Sequence, residues 1–348
     1  MAEQARLCGG AQELEPFTLS RVDPQLSYVQ IGDRRTAGVP LFDGGFTSAE
    51  GVRGRLGLLG SAAEIGLVEA PPNADATLSA GYYQARRAGH HRAILVVTQG
   101  SRPGLCPINA SNFNKPFGPP VLQVSSEAGA WLKEQAQQSR EAVFFAHVKR
   151  TTVQAFNVTT LVRGADAKLP PLVVMTPRSG WWQCASERGG GLACWLEVMR
   201  AVSAARPVRN ILFIASSGHE LGHLGLEAFM ERRPGLVKSA HAWMHFGANI
   251  GAAQEPGNRL QASDDEIEQL GVAAMTGAGL TINDQAKRGS VPYGEAGNIH
   301  RGGGRYTSLL GRNALFHNPA DRWPGAVDVA AIARYASAFS QVALRLTK

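Results

Sequence analysis

The sequence predicts an α/β protein: a three-layer α/β/α domain with a mostly parallel central sheet, carrying a smaller α/β insertion. Three observations predict it. Short runs rich in β-branched and other apolar residues, such as 93–99 (AILVVTQ) and 211–216 (ILFIAS), read as strands buried on both faces. Segments with helical apolar spacing alternate with them, which argues for a parallel sheet covered on both sides. The alternation also changes scale near residue 150. It divides the chain into an N-terminal segment at 1–50 that packs on the main domain, an insertion at 51–150 and the main domain at 151–348.

Residues 1–40 carry no regular signal beyond weak strand character at 26–31. In the insertion, 63–68 reads as a strand, 77–88 as a helix and 93–99 as a buried strand. The stretch between 100 and 120 is rich in Pro and Gly and reads as a long loop. A short strand at 119–124 follows. The helix at 126–138 opens on Ser126, has Glu127 in its first turn and carries apolar Ala130, Trp131 and Leu132. A strand at 143–148 ends the insertion. In the main domain, 154–161 and 172–175 are strands, and 190–205 is a helix with Leu192, Trp195, Leu196, Met199 and Val202 on one face. The apolar strand 211–216 and short strands at 241–245 and 306–310 come next. Residues 327–344 close the chain as a helix with Ile332, Tyr335, Phe339 and Val342 in register.

Composition excludes several classes. The 348 residues are 44% hydrophobic and 18% charged, enough apolar matter for a sizeable core. Lys and Arg number 35 against 28 Asp and Glu, a net charge of +7. The basic residues come as scattered pairs such as Arg34-Arg35, Arg86-Arg87 and Arg232-Arg233, with no basic run interleaved with aromatics, so no nucleic-acid partner is expected. The polar start, MAEQARLCGG, has no apolar leader core, and no apolar run approaches the ~20 residues of a membrane span. Four cysteines lie far apart without a CxxC pair, so a cytoplasmic setting without disulfides and no membrane partner are expected.

The string His219-Glu220-Leu221-Gly222-His223 supports two incompatible readings. As HExxH it is two zinc-binding histidines and a glutamate base on one helix. In context, an apolar strand runs into Gly218, and Gly222 weakens any helix through the motif. That layout suits a ligand at the carboxyl end of a sheet strand instead. His223 as an additional ligand is compatible with either.

Four segments in order carry a family resemblance: NVTTLVRG at 157–164, ASERGGGLACWLEVMRA at 185–201, NILFIASSGHELGHLGLEAF at 210–229 and ALFHNPADRW at 314–323. Together they resemble the zinc exopeptidase family of bacterial leucyl aminopeptidases, glutamate carboxypeptidase-like proteins and glutaminyl cyclases, and the 51–150 insertion is similar to the protease-associated (PA) domain of many members. The resemblance implies the α/β/α fold, a zinc ion and a hydrolase of an amide or peptide-like bond. Where the family has His-x-Asp, this chain has Thr176-Pro177-Arg178, and no carboxylate stands after the strand at His245-Phe246-Gly247-Ala248-Asn249. By the resemblance, the bridging Asp falls on Glu187, the Glu-Glu pair on His219-Glu220 and the late His on His317.

The private ligands of one family ion are therefore gone. The resemblance implies a single zinc on Glu187, Glu220 and His317, with an open position for catalysis. His219 then stands where the family has its catalytic base, and an imidazole can take a proton near neutral pH. Arg178 is expected to meet an anionic group of the substrate. Each has a structural alternative: an ion pair of Glu187 with Arg188 or Arg178, a helix-end carboxylate for Glu220, a buried hydrogen-bonding role for His317. His223, His245 and His300 fall in segments that converge on the same sheet edge. Trp181 and Trp182 could wall an apolar pocket or simply pack. Four functions stay open at this level: a one-zinc hydrolase of a small-molecule or peptide-like substrate, a cyclising acyl transferase of the glutaminyl-cyclase kind, an inactive family member that binds, and metal-free chemistry at Arg178 and the histidine cluster. A homo-oligomer is compatible with the sequence.

Overall fold

The computed structural model describes residues 1–9, 11–74 and 80–348. The N-terminal part contains α1 (Ala2–Leu7), β1 (Ala11–Ile31), β2 (Arg34–Pro40), β3 (Val52–Leu58), β4 (Ile65–Ala70), α2 (Ala80–Ala88), β5 (Ala93–Thr98), β6 (Val121–Val124) and α3 (Gly129–Gln137). The long β7 (Glu141–Val162) leads into β8 (Leu172–Pro177), α4 (Ala185–Ala205), β9 (Ile211–Ser216), α5 (Leu224–Glu231), α6 (Leu236–Ser239) and β10 (Ala242–Phe246). The chain closes with β11 (Gly257–Ala262), α7 (Asp265–Gly277), β12 (Asp284–Gln285), α8 (Ala296–Arg301), β13 (Tyr306–Arg312) and α9 (Val329–Leu346). The start of the helix expected at 77–88 lies outside the described residues. Among them, no helix is long and apolar enough to cross a membrane.

The main sheet runs β7-β9-β8-β10-β13-β11-β12, and β9, β8, β10 and β13 are mutually parallel. Their alternate residues feed two cores, as a sheet covered on both faces requires. On one side Leu172, Val174 and Phe213 pack with Trp195, Met199 and Val202 of α4 and Phe339, Val342 and Leu346 of α9. On the other, Val173, Met175 and Ile214 pack with Leu226 and Phe229 of α5 and Ile299 of α8. The smaller sheet, β3-β4-β5-β6 in parallel order with β2 antiparallel on β6, has its own core around Leu56, Ile65, Leu95 and Leu132.

One strand pair joins the two. β7 pairs antiparallel with β1 from Val143 to Leu161, its first part also pairs with β3, and its last part with β9. β7 therefore passes through position 151 without a break. The sequence reading of 1–40 as irregular is corrected here: β1 is 21 residues long. Its strand character is masked by Pro16, Pro24 and charged Glu13, Glu15, Arg21 and Asp23. Prolines are tolerated on an edge strand, and the ladder to β7 supplies what local propensity withholds. The separate strands expected at 143–148 and 154–161 are likewise one element.

Candidate active site

Three parallel strands, β8, β9 and β10, end at one edge of the sheet, where α4 begins. Open α/β sheets bind ligands at that edge. The glycines of α4 let the helix press against it: a Cβ on Gly190 would lie 1.8 Å from the Ile250 carbonyl oxygen. The segment after β9 is no helix. His219–Leu221 is a single 3-10 turn, and Gly218, Gly222 and His223 all take left-handed backbone at φ 73°, 85° and 66°. Two of these positions suit glycine, and the third puts a non-glycine residue in strain. The turn stacks the His219 and His223 rings with centroids 4.9 Å apart.

An inner cluster forms around Arg188. Its Nη2 lies 2.8 Å from Glu187 Oε1 and 2.8 Å from Glu220 Oε1, with the guanidinium 3% exposed. Its Nε donates to the Ser179 carbonyl. The ion pair that the sequence allowed between Glu187 and Arg188 is therefore formed. Ser179 Oγ donates to Glu220 Oε2 at 2.6 Å and accepts from the His219 backbone N–H at 3.1 Å, tying the cluster to the turn. His317 Nε2 is 3.5 Å from Glu187 Oε1, and its Nδ1 contacts the Pro107 carbonyl at 2.6 Å. Burial works against charge on Glu187, but Arg188 and then His317 outweigh it and hold the carboxyl at about 2. Glu220 is likewise depressed: burial opposes its charge and Arg188 overcomes it. Asp321 accepts from the backbone N–H groups of Ser186 and Glu187 at 2.8 and 3.0 Å, capping α4 from a distant loop.

An outer cluster forms around Glu295, just before α8. His219 Nδ1 lies 2.8 Å from Glu295 Oε1, and His245 Nε2 lies 3.3 Å from Glu295 Oε2. His245 Nδ1 meets Ser308 Oγ at 2.8 Å, and His223 Nδ1 meets Asn298 Oδ1 at 2.9 Å. Burial opposes charge on both partners, yet each favours the other's charged form: the His219 pKa is raised and that of Glu295 sits well below the usual carboxylate range. Donor atoms of His219, His223 and Glu295 all lie within 4.8 Å of one another, a grouping able to hold a metal ion.

The other expected residues are placed as follows. Arg178 donates from Nη2 to the Phe156 carbonyl at 2.8 Å, and among the described residues its side chain pairs with neither cluster. His300 turns to the Tyr306 hydroxyl, 3.3 Å away, and joins neither. Trp181 Nε1 donates to Asn109 Oδ1 at 3.0 Å; Trp182, 44% exposed, donates to the carbonyls of His317 and Leu105. Both indoles thus bind the Pro- and Gly-rich loop, whose Ala110 N–H also donates to the Glu220 carbonyl at 2.7 Å. That loop forms one wall of the site. Sequence reasoning missed it, and missed Glu295 and Asn298. The one available signal was that Glu295 and Asn298 lie in the same segment as His300.

No family model matches the chain. Aminopeptidase YwaD of Bacillus subtilis is 22% identical over 230 residues, 62% of this chain and 49% of the relative, so the chain spans about half the length of the curated relative it matches. BSAP, a zinc aminopeptidase from Bacillus subtilis, superposes with a TM-score of 0.79 at 16% identity, covering 100% of this chain and 87% of that one. A peptidase M28 precursor from Shewanella amazonensis gives a TM-score of 0.75 at 15% identity over 100% of this chain and 86% of that one. The chain has the zinc-aminopeptidase fold.

BSAP is a zinc aminopeptidase, and the residues present here can be tested for whether they fit zinc. In the inner cluster, both Glu187 oxygens and His317 Nε2 lack a well-directed hydrogen bond, as metal donors would. The space facing both carboxylates is nevertheless taken by the Arg188 guanidinium, and a dication bound to the same oxygens would meet a buried like charge. Zinc does not fit there with Arg188 in place. Two imidazoles and a carboxylate in the outer cluster are a set zinc accepts.

Proposed function

We propose that the protein is a zinc-dependent hydrolase of amide bonds in peptide-like substrates, using one ion. The observation that carries it is the gathering of buried Glu187, Glu220 and Glu295 with His219, His223, His245 and His317 at the carboxyl end of a parallel sheet, on a fold whose solved relatives include zinc aminopeptidases. Hydrolysis adds one water across the C–N bond and leaves a carboxylate and an amine. Bound zinc supplies a Lewis acid for the carbonyl and acidifies water. The chain's own residues organise the site. Arg188 fixes Glu187 and Glu220, and Ser179 relays that order to the backbone of His219. Trp181, Trp182 and the loop they bind wall one side of the site. Arg178, partly exposed after β8, is the cation proposed to meet an anionic substituent.

The test is to strip the protein of metal with a chelator and incubate it with aminoacyl p-nitroanilides and a peptide mixture, with and without added zinc, reading products by mass spectrometry. Products that have gained water, formed only with zinc, are expected. Ring-closed products that have lost ammonia would establish cyclisation instead, and no turnover of any substrate would leave a binding protein.

A further inference from the structure

We propose that this chain holds its divalent ion on His219, His223 and Glu295, and that Arg188 substitutes for an ion between Glu187 and Glu220. The assignment rests on the metal-dependent reading above and says where that metal sits.

The inner cluster already contains its cation. Arg188 faces both carboxylates at 2.8 Å and is anchored by the Ser179 carbonyl. Arginine keeps its charge at any working pH, so this pairing is permanent rather than a vacancy awaiting metal.

The outer cluster has what a catalytic metal site requires. Three donors approach within 4.8 Å of one another, so small side-chain adjustments bring them to one ion. Two His and one carboxylate leave a fourth position open for water or substrate. The ligands are oriented from behind. With His223 Nδ1 engaged by the Asn298 side-chain oxygen, its Nε2 carries the lone pair, and Glu295 is braced by His245, itself held by Ser308. Such partners fix the tautomer and direction of ligating groups. Exposure is graded in the useful sense: the Glu295 side chain is 2% exposed and His219 13%, so the carboxylate lies beneath and an imidazole faces the opening. The left-handed His223 is also accounted for. Its strained backbone folds the HELGH turn back and brings both imidazoles to one place. In this assignment His219 is a ligand rather than the base, and both histidines of HExxH bind metal without the helix that normally carries them.

The experiment titrates metal-free protein with Zn2+ against a chromophoric chelator and records the visible spectrum of the Co2+ form, for the full chain and three variants. Wild type is expected to bind one ion. His223→Asn, chosen because Asn tolerates left-handed backbone, and the isosteric Glu295→Gln should each lose affinity by more than the roughly 10–100-fold that removing a ligand's hydrogen-bond partner costs. Both should also alter the Co2+ spectrum. His317→Ala should bind zinc within about 3-fold of wild type, because His317 lies outside the cluster; circular dichroism checks the fold of each variant. Loss of zinc in His317→Ala with retention in His223→Asn would put the ion on Glu187, Glu220 and His317 and overturn the proposal. So would a wild type that binds no zinc. Peptide hydrolysis measured in parallel separates the two readings. A His223-dependent ion without hydrolysis sinks the activity and keeps the site; hydrolysis indifferent to His223 does the reverse.

Discussion

Arg188 shows how one side chain can redirect a site. It is buried with two carboxylates, and removing one partner of a buried ion pair leaves an uncompensated charge. Arg188→Met should therefore destabilise the protein by about 3–5 kcal/mol in urea unfolding, in contrast to the near-zero effect of losing exposed pairs such as Arg200 with Glu197. A loss under about 1 kcal/mol would mean the triad contributes no net stability. Arg178, by contrast, is bound only to a backbone carbonyl, so Arg178→Ala should fold normally. It should raise KM for substrates carrying an anionic group and leave neutral substrates unchanged. The sequence pointed to Glu187, Glu220, His219 and His317 because they occupy positions with a recognisable pattern. It did not point to Glu295, because a lone carboxylate in YGEAGNIH has no spacing that marks it. Nor could it choose a partner for Glu187, since Arg188, one residue on, and Arg178, nine residues back, were both open to it.

At the scale of elements, local signals did well where periodicity and caps agree. β9 was legible to the residue, and the closing helix was found within two residues at each end, because apolar runs and 3.6-residue spacing are local properties. α4 begins five residues earlier than its apolar face suggests, since a cap from Asp321, 135 residues away in sequence, satisfies its first N–H groups. α7 carries a local cap instead. Asp264 accepts from the Ile267 N–H at 3.1 Å and pairs with Arg305 at 2.9 Å. Although partial burial opposes its charge, Arg305 and the cap hold its carboxyl at about 2. A folded value below the unfolded one, near 3.9, gives stability that is complete above that value and fades as pH falls towards 2. Asp264→Ala should cost about 1 kcal/mol at pH 7. Asp264→Asn should keep the cap but flatten the acid limb of a thermal-melt pH profile between about 4 and 2.

At the scale of the whole molecule, the ribbon of β1 and β7 is the structural bond between the two sheets. Deleting residues 1–31 would expose the edge of β7 along 143–161, a long template for pairing with other chains. Size-exclusion chromatography should show aggregates, whereas deleting residues 1–7 alone should leave a monodisperse protein. The same ribbon explains why the loop of the smaller unit can reach the candidate site. Held by β7, it places Pro107, Asn109 and Ala110 against His317, Trp181 and Glu220.

By itself the sequence determined the α/β class, the parallel main sheet and the short motif that becomes the turn at the candidate site, because local periodicities alternating along the chain mark the first two and five adjacent residues the third. Only the tertiary structure decided which cation faces Glu187 and which carboxylate faces His219. Glu295 lies 76 residues from His219 and reaches it because the parallel register of β8, β9 and β10 and the seating of α8 bring their ends to one edge. Charges choose partners by distance in space, and in this fold that distance is set by strand register and helix packing rather than by order along the chain.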